Sequence, residues 1–210
     1  MSQEVAVSEY ACMDTTTPQR LVCDFAMPSQ YHSDALAVEL GAGAGRNLMF
    51  LSQLGYQVVA TESRSGHGKI HFSNDLILAT DRQRFFEEIG IHIVEVEAGL
   101  PKIEPRSVAL VVAMNVIQFI LGENRVTVCR DITRWLIPNG RLIGSVVANR
   151  DSTLSRSLQR FTMNENAVRR LFTDLKIVHM ERVTANVPET VSWSSTRQID
   201  LIEFVCDCPA

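Results

Sequence analysis

Ala37-Val38-Glu39-Leu40-Gly41-Ala42-Gly43-Ala44-Gly45-Arg46-Asn47 decides how the chain is read. A short apolar run ends in an acid, three glycines follow at alternate positions, and an apolar-periodic segment then begins. Val38 and Leu40 suit a strand. Leu48, Leu51 and Leu54 recur at helical spacing, with Met49 and Phe50 beside them, so the passage reads as strand, tight turn, helix. Glycine at such a turn takes φ > 0 without steric cost and leaves bare main chain for a close approach. The helix N-terminus beyond it offers N–H groups and a positive dipole end. The spacing also excludes a reading. A dinucleotide turn wants a third glycine three places after the second, and Arg46 stands there.

Outward from this passage, strand and helix patterns alternate. Residues 35–40 form the first strand and 57–62 the second, with Gly55 closing the helix between them. Glu62 ends the second strand. An acid there, in a nucleotide-binding α/β unit, accepts hydrogen bonds from both ribose hydroxyls. A helix through Glu88 is closed by Gly90, and residues 91–97 alternate as a third strand. Residues 108–115 are a continuous apolar strand, the mark of a sheet centre covered on both faces. Asn115 ends it, on the edge where open α/β sheets bind ligands. A helix over 123–136 is stopped by Pro138-Asn139-Gly140, and 141–148 is a fifth strand. Thr162-Met163-Asn164-Glu165 reads as a capping box opening a helix. Residues 176–180 and 199–206 close the chain as two strands. The pattern specifies an α/β fold, doubly wound, with a mostly parallel seven-stranded sheet, helices on both faces and an antiparallel C-terminal hairpin strand.

The 210 residues suit one domain, with 1–34 either a lid over the pocket or a segment on the sheet edge. Apolar content of 46% supports a real core. A net charge of −4 and a pI of about 5.7 disfavour a broad nucleic-acid surface. The charge is uneven: residues 1–45 hold six acids against Arg20, and residues 125–170 hold nine arginines against Asp131, Asp151 and Glu165. These read as solvated faces, or as a docking surface for an anionic substrate or for a protein partner, an acidic one at the arginines. Five cysteines without a C-x-x-C pair, and an N-terminus without a signal-peptide pattern, point to a reducing, cytoplasmic compartment. The longest apolar run, 108–121, is too short and too polar to cross a bilayer. His67 and His71 lack nearby acid or cysteine ligands, so no metal is expected.

The form Glu-x-Gly-x-Gly-x-Gly from Glu39 to Gly45 resembles the first motif of the class I S-adenosylmethionine-dependent methyltransferases. Glu62 and the Leu136-Ile137-Pro138-Asn139-Gly140 turn add to the resemblance, which covers residues 35–206. It implies a Rossmann-like methyltransferase fold and S-adenosylmethionine as cofactor, with S-adenosylhomocysteine as product. The implied cofactor set is Glu39, Gly41, Ala42, Gly43, Gly45, Asn47, Glu62, Ser63, Glu97, Ala98, Asn115 and Val116. Glu39 faces the amino group of the methionine moiety, and Glu97-Ala98 stands beside the adenine. Ala109 replaces an Asp that usually opens the family's fourth strand. The implied chemistry is in-line SN2 transfer to a small-molecule acceptor in a dry pocket. No motif marks a base; Tyr31 and His32 are candidates if the N-terminal segment folds over the mouth. An inactive methyltransferase fold serving as an interaction module and a nucleotide-dependent oxidoreductase are the alternatives. A nucleic-acid enzyme is disfavoured, since Met114-Asn115-Val116-Ile117 stands where an Asn/Asp-Pro-Pro-Tyr motif would be.

Overall fold

A computed structural model describes residues 18–26, 35–42, 45–62, 88, 90–95, 102–120, 122–148, 162–186 and 198–210. Seven strands, β1 (Leu36–Leu40), β2 (Gln57–Glu62), β3 (His92–Glu95), β4 (Val108–Met114), β5 (Leu136–Val147), β6 (Lys176–Asn186) and β7 (Gln198–Asp207), form one sheet. Its order is β3-β2-β1-β4-β5-β7-β6. The first five strands are parallel, and β7 runs antiparallel between β5 and β6. The expected seven strands and antiparallel closing hairpin are therefore present. All seven residues of β4 are buried, which is why that strand has no polar alternation.

Among the described residues, the helices α1 (Arg20–Phe25), α2 (Arg46–Gln53), α3 (Gly122–Trp135) and α4 (Glu165–Leu171) flank the sheet. On one face, Val38, Val111, Leu142 and Phe204 pack against Cys129, Ile132 and Trp135 of α3 and Val168 of α4. On the other, Ala37, Val112, Ile143 and Val205 pack against Leu21 and Val22 of α1 and Leu48 and Leu51 of α2. A helix stripe at three- and four-residue spacing is what allows each to bury against the pleat. The buried tip of α1 is tied down at its end, where Arg141 donates to the Phe25 carbonyl at 3.1 Å and pairs with Asp207 at 2.7 Å.

Three local readings are corrected. The helix of α3 ends at Trp135, and Leu136 already pairs with Val108. Pro138-Asn139-Gly140 is thus a bulge within β5, not a helix stop followed by a strand. Asn139 takes φ +62, and the bulge is pinned by Asn139 N–H to the Cys208 carbonyl (3.0 Å) and Cys208 N–H to the Gly140 carbonyl (2.8 Å). Only glycine fits at 140: a Cβ would meet the carbonyl oxygens of Ile137, Val108 and Ala109 at 2.8, 3.1 and 3.2 Å. The capping box is also displaced. Met163 bridges to Ala148 as an added bit of sheet, so helix α4 starts later and Asn164 caps it, accepting from Ala167 N–H at 2.8 Å. Glu165 instead pairs with Arg182 at 2.9 Å. Finally, β6 extends through Asn186 rather than ending near Met180, because Arg182 to Asn186 continue the ladder with β7.

Candidate active site

β2, β1 and β4 are adjacent parallel strands, so their carboxyl ends lie side by side. Glu39 is 3% exposed at the end of β1, on the face covered by α1 and α2. Asn47, in the first turn of α2, donates its Nδ2 to Glu39 Oε1 at 2.7 Å and to Gln19 Oε1 at 2.9 Å. Gln19 N–H returns a bond to Asn47 Oδ1 at 2.9 Å. One amide has two donors and one acceptor oxygen, and all three functions of Asn47 are engaged. Gln19, the residue before the N-terminal helix, is thereby tied through Asn47, 28 residues on, to the acid of the glycine motif. Gln19 was not legible as a site residue; it is the residue before a short apolar stripe, and its partner lies in another element.

The turn itself is held by the sheet. Ala42 N–H donates to the Thr61 carbonyl at 3.0 Å, Gly41 N–H reaches Thr61 Oγ1 at 3.4 Å, and Gly45 N–H closes on the Ala42 carbonyl at 2.8 Å. Gly41 has φ +63, and a Cβ there would meet Val116 Cγ2 at 2.7 Å. At this position the missing side chain lets the turn press on Val116, two residues past the end of β4. Two expected site residues from distant sequence are thus in contact. Glu62 closes β2, one residue beyond Thr61, which pairs with Leu40. Gly43, Ser63, Glu97, Ala98, Tyr31 and His32, and the His67–His71 pair, lie outside the described residues, as do the side-chain surroundings of Glu62.

Beyond β4 the chain turns sharply. Asn115 takes φ +56, a region Asn tolerates better than most residues. Its N–H meets the Ser145 carbonyl at 2.9 Å and Ser145 Oγ at 3.1 Å. Its Oδ1 is buried with no hydrogen-bond partner among the described residues. The 3-10 turn Ile117–Phe119 follows. Arg125 of α3 clamps it, donating Nε to the Ile120 carbonyl at 2.6 Å and Nη2 to the Gln118 carbonyl at 3.0 Å. Gln118 is fully buried, yet neither end of its side-chain amide has a partner among the described residues. On β7, opposite Ser145, Glu203 is also buried, and burial pushes its carboxyl up to about 7. Gln118, Arg125, Ser145 and Glu203 are polar residues of this edge that sequence reasoning missed; an isolated Gln or Glu in an apolar run was their sole signal. No group of three or more metal-ligating side chains occurs among the described residues.

A methyltransferase-domain family model matches residues 38–144, from the glycine motif to mid-β5. The chain belongs to that methyltransferase-domain family. Among curated proteins, none matches the sequence. Solved structures are similar in fold. TehB from Haemophilus influenzae superposes with a TM-score of 0.63 at 16% identity, over 90% of this chain and 65% of its own. A Haemonchus contortus phosphoethanolamine N-methyltransferase, solved with phosphomonomethylethanolamine and S-adenosylhomocysteine, gives 0.63 at 15% identity, over 87% of this chain and 50% of its own. A Burkholderia thailandensis 1,6-didemethyltoxoflavin N1-methyltransferase, solved with its substrate and S-adenosylhomocysteine, gives 0.58 at 16% identity, over 90% and 75%. This methyltransferase-family chain thus spans about two thirds of TehB and half of the Haemonchus enzyme. No described helix is long and apolar enough to cross a membrane.

Proposed function

We propose that the chain transfers a methyl group from S-adenosylmethionine to a small-molecule acceptor. The observation that carries this reading is the buried Glu39 carboxylate, oriented by Asn47 at the mouth of the glycine turn. A carboxylate buried at that place and fixed by an amide suits an ammonium group, and the methionine moiety brings one. On this reading Glu39 takes the amino group, the glycine motif the methionine backbone and Glu62 the ribose, with Val116 as an apolar wall. S-adenosylmethionine supplies an electrophilic methyl group and its own thioether leaving group when bound. The protein's part is to orient the reactants in line and to exclude water. Asn115 and the turn clamped by Arg125 form the acceptor side of the mouth.

The reading includes a reducing, cytoplasmic setting, supported by the free Cys23, Cys129, Cys206 and Cys208. It includes a small acceptor rather than a nucleic acid, given the net charge of −4. The exposed Arg130, Arg169 and Arg170 remain available as a protein-docking face.

Calorimetric titration with S-adenosylmethionine and with NADH tests the cofactor class. Binding of the first and silence with the second is expected; NADH binding would overturn the assignment. Glu62→Ala is expected to weaken the cofactor by about 1.5–3 kcal/mol through lost ribose hydrogen bonds to a charged acceptor. An unchanged dissociation constant removes Glu62 from the site.

A further inference from the structure

Glu203 has no part in the cofactor site described above, yet its position on the sheet is specific. Met114 pairs with Ser145, and Ser145 pairs with Glu203, so the three form one row across β4, β5 and β7. Residues two apart on a strand share a face. Ile143 and Val205, two residues from Ser145 and Glu203, belong to the core under α1 and α2. Ser145 and Glu203 therefore project from the face on which Glu39 meets Asn47. Glu39 pairs with Val112, so the row lies two residues nearer the carboxyl edge, level with Gly41. Three strand spacings separate β1 from β7 along it, roughly 14 Å. Met114 and Ser145 lie between the glycine turn and Glu203 along this row, at 8% and 0% exposed.

The surroundings of Glu203 are apolar along the sheet. Ile143 and Val205 form the row on one side and Val147 and Leu201 the row on the other. The residue is 7% exposed, and its Oε1 has no hydrogen-bond partner among the described residues. A buried acceptor without a donor is a standing cost that a ligand's N–H or O–H would remove. Among the described residues, the titratable and charged groups on this face begin with Glu39 at the β1 end, held by Asn47. Glu181 stands opposite on β6, with a side chain 61% exposed, and His179 is 3.9 Å from it. Arg141 of β5 is two rows away and paired with Asp207, and α1 carries the exposed Arg20–Asp24 pair. None of them sets the Glu203 carboxyl, which burial alone raises to about 7, the range a general base at neutral pH requires.

Resting on the methyl-transfer reading, we infer that Glu203 is the proton acceptor of the reaction, and that the methyl acceptor is a small amine or hydroxyl compound. The nucleophile's lone pair forms the bond to the methyl carbon. The carbon–sulfur bond breaks with its electron pair left on sulfur. The proton on the nucleophilic nitrogen or oxygen passes to the ionised Glu203 carboxylate, which returns it to solvent after product leaves.

Two readouts test this. In the free protein, the Glu203 carboxyl carbon is followed by carbon-13 NMR and identified by its loss in Glu203→Gln. A midpoint near 7 is expected, and one near the ordinary 4.5 overturns the inference. Methyl-tritiated S-adenosylmethionine is then supplied with aniline, phenol and primary alkylamines, and with dimethyl sulfide as a nucleophile that carries no proton. Transfer to a proton-bearing probe is expected, rising with pH through the same midpoint in the wild-type protein. Glu203→Gln should keep cofactor affinity, lose about 100-fold or more in turnover, and lose that pH limb. Transfer to dimethyl sulfide alone, to no probe by a protein that binds the cofactor, or equally by Glu203→Gln overturns it. Failure of the wild-type protein to bind S-adenosylmethionine would instead overturn the methyl-transfer reading beneath it.

Discussion

The two halves of the carboxyl edge are built differently. At β1, Glu39, Asn47 and Gln19 hold one another through bonds of 2.7–2.9 Å, and the turn after them is fastened to Thr61. At β4, β5 and β7, Gln118 and Glu203 are just as buried and Asn115 is half-buried, and each carries a buried polar atom without a partner among the described residues. Buried polar groups are normally paired. A half whose polar side chains hold one another suits a group that always binds in the same place. A half that leaves donors and acceptors open suits a second molecule that must supply the missing bonds and then leave. On the proposed reading the β1 end takes the cofactor and the β4–β7 end the acceptor.

The comparison can be broken or sharpened by measurement. The largest effect is expected in the pH dependence of stability. With its carboxyl raised from 4.5 to about 7 in the folded protein, Glu203 stays protonated there while the unfolded chain has already released its proton. Stability is therefore fully present below about pH 4.5 and lost as pH rises to about 7, then level. The loss is about 3 kcal/mol, and urea midpoints from pH 4.5 to 8 should trace it. Glu203→Gln should flatten that fall; an equally steep fall in the variant would show that the acceptor half is not an open, desolvated site.

At the other half, Gln19→Ala should cost about 1–2 kcal/mol, because the Asn47 Nδ2 loses its bond to the Gln19 side chain while remaining buried; the bond from Gln19 N–H is kept. Thermal melts read it. A melting point within error of wild type would mean that the N-terminal helix does not fasten the cofactor acid. The smallest effect, and of opposite sign, is expected at Gln118. Replacing its orphaned amide with Met should leave stability unchanged or raise it by up to about 1 kcal/mol. A clear loss would show that Gln118 is structurally engaged, and the contrast between the halves would weaken.

These two halves were also unequally legible in the sequence. The cofactor half is local: an acid, three glycines and a helix stripe within residues 37–54, so period and turn chemistry suffice. The all-apolar β4 and the strand ending at Glu62 were legible for the same reason. Gln118 and Glu203 have no such signature, because their environment comes from strands paired across long stretches of chain. The misread passages were local rules overruled by distant partners. Thr162 had the spacing of a cap, but Met163 joins Ala148 instead. Pro138 looked like a helix stop, but Cys208, near the C-terminus, turns that passage into a bulge of β5.

The central claim is that the Glu39 carboxylate receives the amino group of S-adenosylmethionine. Calorimetry of the wild-type protein and Glu39→Gln tests it most directly, since Gln keeps an acceptor for Asn47 and removes the charge. The account predicts cofactor binding by wild type, weakened about 30- to 100-fold in the variant at unchanged melting temperature, the equivalent of about 2–3 kcal/mol for a charge-assisted bond. Equal affinities, or no binding by the folded wild-type protein, would contradict it.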